Sequence, residues 1–443
     1  MASNLFKIVR FRCGGIDVHK NLVVCAASET DFKTYETTFY TSQYTCFNDD
    51  LDKMCKWFEE HGVKEVAMES TGKYWIPVTN KLEEHHIKFT LVHPKYVKAA
   101  SGQKNDKADA RFICSMFAYD MAGLGSVILP KVFRENRDLA RRYWKLGYCV
   151  SSEKCRLQNC MTMSNLSLDS VFTDPFGKSA QAVMQELLSN RAVDDQKILS
   201  LVHGRCKNKD KLLDAIHGSN ITPDQHFKMA DITQHLNELE EHRDAVFGEI
   251  LVRLEPYMDS IILLTSIPGI QLTSAVLIVS EIGTDMSFWK TGRQLSAWAG
   301  LTPNNDQSHN KKKSTRITKA GTYLKPLMVQ CALAAIKCKG DKGYFAIKYC
   351  RIKKRRGHKK AIVAIARMMM ISIYHVLKDH IEFKPSDYDE LINPKPKKAK
   401  EFSESDAINL LKSHGYDVSL LHKTTITDRT IPSPAATATS TAA

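Results

Sequence analysis

The chain has 443 residues, enough for two or three domains with a buried core. Lys and Arg outnumber Asp and Glu by 63 to 49, for a net charge of +14 and an isoelectric point near 9.1, which favours a polyanionic partner, nucleic acid first. Twelve cysteines without CxxC pairs exclude a disulfide framework and a zinc site, and no signal peptide or unbroken apolar run of spanning length is evident, so a reduced, soluble cytoplasmic protein is expected.

Arg12–Ser28 runs RCGGIDVHKNLVVCAAS. A Gly pair leads into Ile16, Asp17 and Val18, a polar break follows at His19-Lys20-Asn21, and the apolar run Leu22–Ala27 comes next. This reads as strand, turn, strand. Asp17 then lies among hydrophobic neighbours, where an acid is costly unless it is paired or binds metal. Thr34–Thr41 alternates like a third strand, and Phe47–His61 has helical periodicity, with Leu51, Met54, Cys55 and Phe58 on one side. Lys64–Thr71 (KEVAMEST) returns to a strand with Glu69 at its end, Tyr74–Glu84 reads as a helix, and Ile87–Val92 as a strand ending at His93-Pro94.

Lys104–Arg111 (KNDKADAR) opens the next helix and sets Asp106 and Asp109 three residues apart on one face. Alone, such a pair is a solvated helix start neutralised by Lys107 and Arg111. Here the element order β-β-β-α-β-α-β-α puts acids on the first strand, at the end of the fourth and on the last helix. That mixed α/β arrangement resembles the ribonuclease H-like fold of RuvC-type nucleases, with Asp17, Glu69, Asp106 and Asp109 as a DEDD set. Phosphodiester transfer needs charge neutralisation on the attacking and leaving oxygens, which two Mg²⁺ ions about 4 Å apart supply. Mg²⁺ prefers carboxylates and retained waters, whereas clustered acids without metal raise each other's pKa.

From Arg134 the pattern changes. Leu139, Tyr143, Leu146, Val150 and Leu157 keep a four-three rhythm, while Arg134, Arg137, Arg141, Arg142 and Lys145 give the same helix a basic side. These arginines form either a solvated face or a track for a phosphate backbone, Arg141 and Arg142 being the candidates for the latter. The turn Asp174–Gly177 and shorter helices to about His217 follow. A second long segment carries Ile232, Leu236, Leu239, Val246, Ile250 and Leu254 on a similar seam. Two heptad-like helices around a helical insert suggest an antiparallel coiled-coil arm, paired within or between chains.

Leu263–Ile282 (LLTSIPGIQLTSAVLIVSEI) reads as helix, tight Pro268-Gly269 turn, helix. This is a helix-hairpin-helix-like unit whose turn amides suit a phosphate and which suits a plain core equally well. The polar loop Leu301–Gly321 (LTPNNDQSHNKKKSTRITKAG) holds Ser308 among Asn, His and Lys, with Lys311, Lys312, Lys313, Arg316 and Lys319 as backbone-contact candidates. Taken alone, such a serine is a turn residue. Arg351–Lys360 (RIKKRRGHKK), including Lys353, Lys354, Arg355 and Arg356, is a dense, non-sequence-specific nucleic-acid contact ahead of the apolar helix Ala361–Leu377. Beyond Phe383 come a basic linker at Lys395–Lys400, an amphipathic segment at Ser403–Leu421, and a Thr/Ala/Ser/Pro-rich stretch, Thr424–Ala443, that reads as disordered.

GIDVHK, MEST and KNDKADAR early in the chain, then SIPGI, AGLTP and a serine five residues past that proline, together resemble one family over roughly residues 10–375. It is the DEDD transposases of bacterial insertion sequences (insertion-sequence family one-ten), related to the Piv/MooV DNA invertases and including bridge-RNA-guided recombinases. The resemblance implies a RuvC-like catalytic domain over 1–130, a helical coiled-coil and oligomerisation region over 131–258, an α-helical C-terminal transposase domain over 259–382, and an extension over 383–443. It also implies metal binding by Asp17, Glu69, Asp106 and Asp109, Ser308 as nucleophile, and a homo-oligomer (a dimer, or a tetramer as a dimer of dimers) with composite active sites. Donor and target DNA and a structured noncoding guide RNA are the implied partners, with no membrane. The family usually has Gly directly after the serine and tends to Arg at a position held here by Lys325; this chain has His309 and Lys325, and Ser314 is a second serine in the loop. Two other functions compete: a metal-only RuvC-like endonuclease or junction resolvase, and a non-catalytic nucleic-acid-binding protein.

Overall fold

Strand β1 (Arg12–Val18) is the middle of a five-stranded sheet with the order β3-β2-β1-β4-β5. β2 (Leu22–Thr30) and β3 (Thr37–Thr45) extend it antiparallel on one side, and β4 (Glu65–Glu69) and β5 (Lys88–Val92) extend it in parallel on the other. The computed structural model describes residues 8–69, 72–92, 105–121, 126–189, 194–204, 206, 208–303, 306–308, 311–314, 316–340, 343–392, 408–409 and 412–413. The chain divides into two units, Met1–Lys384 and Pro385–Ala443; the second carries the short helix Tyr388–Ile392. The expected linker at Lys395–Lys400 and the stretch Thr424–Ala443 lie outside the described residues, as does most of Ser403–Leu421.

The pleat of β1 sorts its side chains between two layers. Ile16 and Val18 point into a core shared with α1 (Asn48–Glu60) and α2 (Trp75–Glu84), through Leu51, Met54, Phe58, Val78 and Leu82. Cys13 points the other way, into a core with Ala110, Ile113, Cys114 and Phe117 of α3 (Asp106–Ala118). The glycine pair belongs to both layers. A Cβ on Gly14 would lie 2.6 Å from the Phe58 ring of α1, and one on Gly15 would lie 2.3 Å from the Ala110 carbonyl oxygen and 2.4 Å from the Cys114 amide nitrogen of α3. β1 and α3 therefore approach so closely that only glycine fits between them.

The expected N-terminal elements all form, with one shift. β3 begins at Thr37 and not at Thr34, because residues 31–36 make a turn in which the Asp31 carboxylate accepts the Lys33 and Thr34 amides at 2.7 and 2.8 Å and Tyr35 takes φ 59°.

Beyond the sheet most of the described elements are helices. α4 (Lys131–Met163) and α9 (Pro223–Leu254) run antiparallel within the one chain. Their register is marked by Arg253–Glu135 at 3.1 Å, Arg243–Tyr143 at 2.7 Å and Lys154–Glu240 at 3.1 Å, around Leu146, Val150 and Leu239. Four short helices, α5 (Leu168–Val171), α6 (Lys178–Ser189), α7 (Asp195–Ser200) and α8 (Lys211–His217), close a separate core with Leu157, Met161, Met229 and Ile232 at the far end of the pair.

The C-terminal bundle contains α10 (Met258–Leu264), α11 (Leu272–Ile282), α12 (Gly292–Trp298), α13 (Leu324–Ala335), α14 (Tyr344–Arg356) and α15 (His358–Asp379). Among the described residues α15 alone is long and apolar enough to span a bilayer by length and composition. Its Ala361, Ile365, Ala366, Met369, Met370 and Ile373 are buried, the pattern of a core helix. The Pro268-Gly269 turn between α10 and α11 is set by packing: Gly269 has φ +87°, and a Cβ there would lie 2.5 Å from the Cys331 carbonyl of α13.

Gly15→Ala must displace backbone, whereas Gly14→Ala meets only side-chain atoms of Phe58 and Val66. Overpacking of this kind costs about 1–3 kcal/mol. In urea unfolding, Gly15→Ala is expected at or above the top of that range and Gly14→Ala below it. Equal losses would contradict the close helix–strand contact.

Candidate active site

The acids gather at the end of β1 and β4 on the α3 side of the sheet. Asp17 lies two residues after Gly15, so it shares Gly15's face and is directed toward the start of α3. Glu69 is the last residue of β4, which pairs in parallel with β1. Asp106 and Asp109 occupy the first turn of α3, where Asn105 caps the helix by accepting the Lys107 amide at 3.0 Å. A helix N-terminus favours carboxylates, so these two acids do not fray the helix they begin. The structure brings Asp17 and Asp106 together, and Glu69 and Asp109 lie near enough to act on the Asp17 charge.

Asp17 is only 7% exposed, while Glu69, Asp106 and Asp109 are half-buried. Burial is the main cause raising the Asp17 pKa; His19 opposes it, and Asp109, Glu69 and Asp106 push it further up. Clustered like charges in a partly desolvated pocket give this response when no cation neutralises them.

His19 completes the cluster, although by sequence it reads only as part of a polar turn. It does lie in the β1–β2 turn, its amide donating to the Leu22 carbonyl at 2.9 Å. Its ring bridges the acids, with Nε2 3.1 Å from Asp17 Oδ2 and 3.5 Å from Asp106 Oδ1. One donor atom from each of Asp17, His19 and Asp106 falls within 4.8 Å of the others. Two carboxylates, one of them the buried Asp17, and an imidazole converging in this way fit a divalent cation. The available signal was the position of His19, two residues past a strand-borne Asp and next to the strand end.

Ser308 lies on a different element. The loop Leu301–Gly321 is a two-stranded hairpin, β6 (Asp306–Ser308) and β7 (Lys311–Ser314), with Ser308 opposite Lys311; the polar sequence gave no strand signal. The side chains of Ser308, Lys311, Lys312, Lys313 and Ser314, and all of His309, lie outside the described residues. Two glycines close the loop at its base. Gly300 and Gly321 have φ +70° and +69°, and a Cβ on either would lie 2.1 Å from the carbonyl oxygen of Ala320 or Ala299 respectively. Pro303 bridges to Ile317, and Lys325 Nζ donates to the Thr318 carbonyl at 2.6 Å.

The basic residues divide into two groups. Arg142, Arg316 and Lys319 are exposed, as are Lys353, Lys354, Arg355 and Arg356 in the last turn of α14; there the four also complement the helix dipole. Arg141 is engaged internally, its Nε donating to Glu281 Oε1 at 3.0 Å. Arg134 does likewise toward α2, making a bidentate pair with Glu83 at 2.6 and 2.7 Å. For Arg134 and Arg141, the basic side of this helix is in large part a bonding face.

The raised Asp17 pKa has a measurable sign. Above the folded-state value the carboxylate is charged in both states and folding bears the full desolvation cost; below the ordinary carboxylate range both states are protonated and the cost disappears. Metal-free Asp17→Asn is therefore expected to unfold at a higher temperature than wild type at neutral pH, with the gap closing on acidification. Added divalent metal should stabilise wild type and leave Asp17→Asn unmoved. A variant less stable than wild type in chelator at neutral pH would refute the desolvated-acid account.

Comparison with known proteins finds similarity in two segments of the chain. A DEDD transposase family model of the IS110 type matches residues 14–165, which contain the four acids and His19. A second model, "Transposase IS116/IS110/IS902 family", matches residues 262–345, which contain the serine hairpin. The chain is 34% identical over 80 residues to a "Probable family 20 transposase" of Pseudomonas aeruginosa, covering 18% of this chain and 23% of that protein. It is 35% identical over 105 residues to the "Transposase for insertion sequence element IS1111A" of Coxiella burnetii, covering 23% of this chain and 28% of that protein. The chain thus spans about a quarter of the length of each of these curated relatives. Two segments in succession along one polypeptide, the first containing the acidic centre and the second the serine hairpin, are thus each similar to transposases of the IS110 type.

Proposed function

We propose that the protein is a DNA transposase that cleaves and exchanges the strands of a mobile element. The observation that carries this reading is the cluster of His19 and Asp106 on the buried Asp17 carboxylate, with Asp109 and Glu69 close enough to act on its charge, an arrangement of no use to a simple polyanion binder and suited to holding divalent metal. Asp17, Glu69, Asp106 and Asp109, with His19 beside them, would hold Mg²⁺, two ions per site. The bound metal would neutralise charge on the phosphate under attack.

In this reading Ser308 is the nucleophile. Its Oγ forms a bond to the DNA phosphorus, one ester P–O bond breaks, and the departing strand leaves with a free hydroxyl that takes up the proton lost by the serine. The protein keeps a phosphoserine–DNA ester for the exchange step. A serine hydroxyl is a weak nucleophile at neutral pH and needs an activating neighbour. Supply of the acids by one subunit and the serine by another would meet that need and make a homo-oligomer, a dimer or a dimer of dimers, the working form. Relationship to Piv/MooV-type invertases, and a bridge RNA that selects donor and target by base pairing while the protein grips shape and backbone, belong to the same proposal. So do a cytoplasmic, nucleoid-associated location and a division into a RuvC-like domain over 1–130, a helical region over 131–258, a transposase domain over 259–382 and an extension over 383–443.

A metal-only RuvC-like nuclease is the second reading, favoured by the fact that, among the described residues, β1, the β1–β2 turn and α3 supply the cluster of Asp17, His19 and Asp106. Denaturing gels of wild type and Ser308→Ala with Mg²⁺, donor and target DNA, and RNA transcribed from the flanking noncoding sequence separate the two. A protein–DNA adduct present in wild type and lost in Ser308→Ala is expected, with Asp17→Ala and Asp106→Ala abolishing all strand cleavage. Cleavage that persists without adduct in both proteins would leave the nuclease.

The basic turn of α14 gives a further expectation. Each lost phosphate contact lowers the slope of log K against log salt by about 0.9 for duplex DNA. Replacing Lys353, Lys354, Arg355 and Arg356 by Ala is expected to weaken binding uniformly across DNA sequences and to flatten that slope. An unchanged slope would remove this turn from the interface.

A further inference from the structure

Glu281 is an acid inside the C-terminal bundle, on α11, with a side chain only 5% exposed. Two arginines from α4 serve it. Arg141 contacts both carboxylate oxygens, at 3.0 and 3.3 Å, and Arg137 lies 3.4 Å from Oε2 while donating to the Glu281 backbone carbonyl at 2.6 Å. A carboxylate this deep in an apolar helix is held there by that pairing.

The far sides of these arginines face the two ends of the serine loop. The Arg137 guanidinium sits 5.2 Å from the ring centre of Trp298, two residues before Gly300. The Arg141 guanidinium sits 5.1 Å from the ring centre of Tyr323, two residues after Gly321. Gly300 and Gly321 are the pinch where the loop closes on itself. One carboxylate therefore fixes two cations, and each cation carries an aromatic ring flanking one end of the loop. One turn earlier on the same helix, Arg134 is bonded to Glu83 and Asn80 of α2, against the acid-bearing sheet. Arginines at 134, 137 and 141 thus tie the N-terminal catalytic half and the base of the serine hairpin to one rigid stretch of helix.

From this geometry we infer that Glu281 is a positioning residue for the serine hairpin, acting through Arg137 and Arg141 on Trp298 and Tyr323. The inference rests on the proposed role of Ser308 for its catalytic consequence, but not for its structural one. Glu281 touches neither DNA nor metal in this scheme. It sets the direction in which the hairpin leaves the bundle, and an error of about 1 Å in presenting a nucleophile is enough to cost on the order of a hundredfold in rate.

The test compares wild type, Glu281→Gln and Tyr323→Leu, the last removing one ring contact while leaving the buried charges in place. Amide hydrogen exchange is followed by mass spectrometry over the peptides spanning residues 299–323 and, as an internal control, over β1 and β2. Adduct formation is timed at saturating and limiting DNA. The expected result is at least tenfold faster exchange at the loop base in both variants, unchanged exchange in β1 and β2, unchanged DNA affinity, and an adduct rate at saturation reduced at least tenfold. If Glu281→Gln loses protection everywhere, Tyr323→Leu alone decides. Wild-type exchange at the loop base in Tyr323→Leu, with a normal adduct rate, overturns the inference. If wild type forms no adduct at all, the serine reading fails, and the exchange data still decide whether Glu281 holds the loop.

Discussion

The contact on which the candidate active site depends is the seating of α3 directly on β1 at Gly15. No side chain separates the strand from the helix there: a single added methyl would lie 2.3 Å from a backbone oxygen and 2.4 Å from a backbone nitrogen. Because β1 alternates, fixing Gly15 against the helix fixes Asp17 on the same face, beyond the buried contact with Ala110 and Cys114 and level with the first turn of α3. Asp106 and Asp109 come from that turn, and the parallel pairing of β4 with β1 adds Glu69. The separation of the carboxylates is therefore a consequence of backbone packing, which bends far less readily than a surface loop.

That rigidity has an electrostatic cost. Asp17 is desolvated and faces three other carboxylates, so its charged form is disfavoured in the folded state. Asn105 and the α3 N-terminus relieve the two acids on the helix, and His19 reaches across to Asp17 and Asp106. A fold that maintains such a cluster is destabilised locally when metal-free, and a divalent cation has a preformed set of donors to satisfy. The C-terminal half uses the opposite device. A buried Glu281 is matched by two arginines, and their remaining faces are used on aromatic rings.

Much of the N-terminal half was legible because its physics is local. Val, Ile and Cys runs around a single Asp mark β1 and β2, the spacing of Leu51, Met54, Cys55 and Phe58 marks α1, and Asn105 before a DxxD marks the start of α3. Readings failed where the deciding partner lies far along the chain. The periodicity at 134, 137 and 141 shows that one helix face is basic, but not that Glu83 and Glu281, about 50 and 140 residues away, occupy it. His19 belongs to the acidic cluster because the β1–β2 turn carries its ring to Asp106 as well as to Asp17; its place two residues after Asp17 points to the second contact but not to the first. The β6–β7 hairpin is composed of polar residues that elsewhere make irregular loops.

The pinch at Gly300 and Gly321 has a consequence for how such a protein diversifies. The two Ala-Gly steps close the loop at its root, each carbonyl packed against the opposing glycine, so the bundle beneath experiences the same boundary whatever the distal segment contains. The entropy of a loop closed at fixed ends rises only as the logarithm of its length, about 0.6 kcal/mol for each doubling. Residues between the root and the strands can accordingly be inserted, deleted or exchanged with little loss to the scaffold. The root is the part that tolerates no side chain.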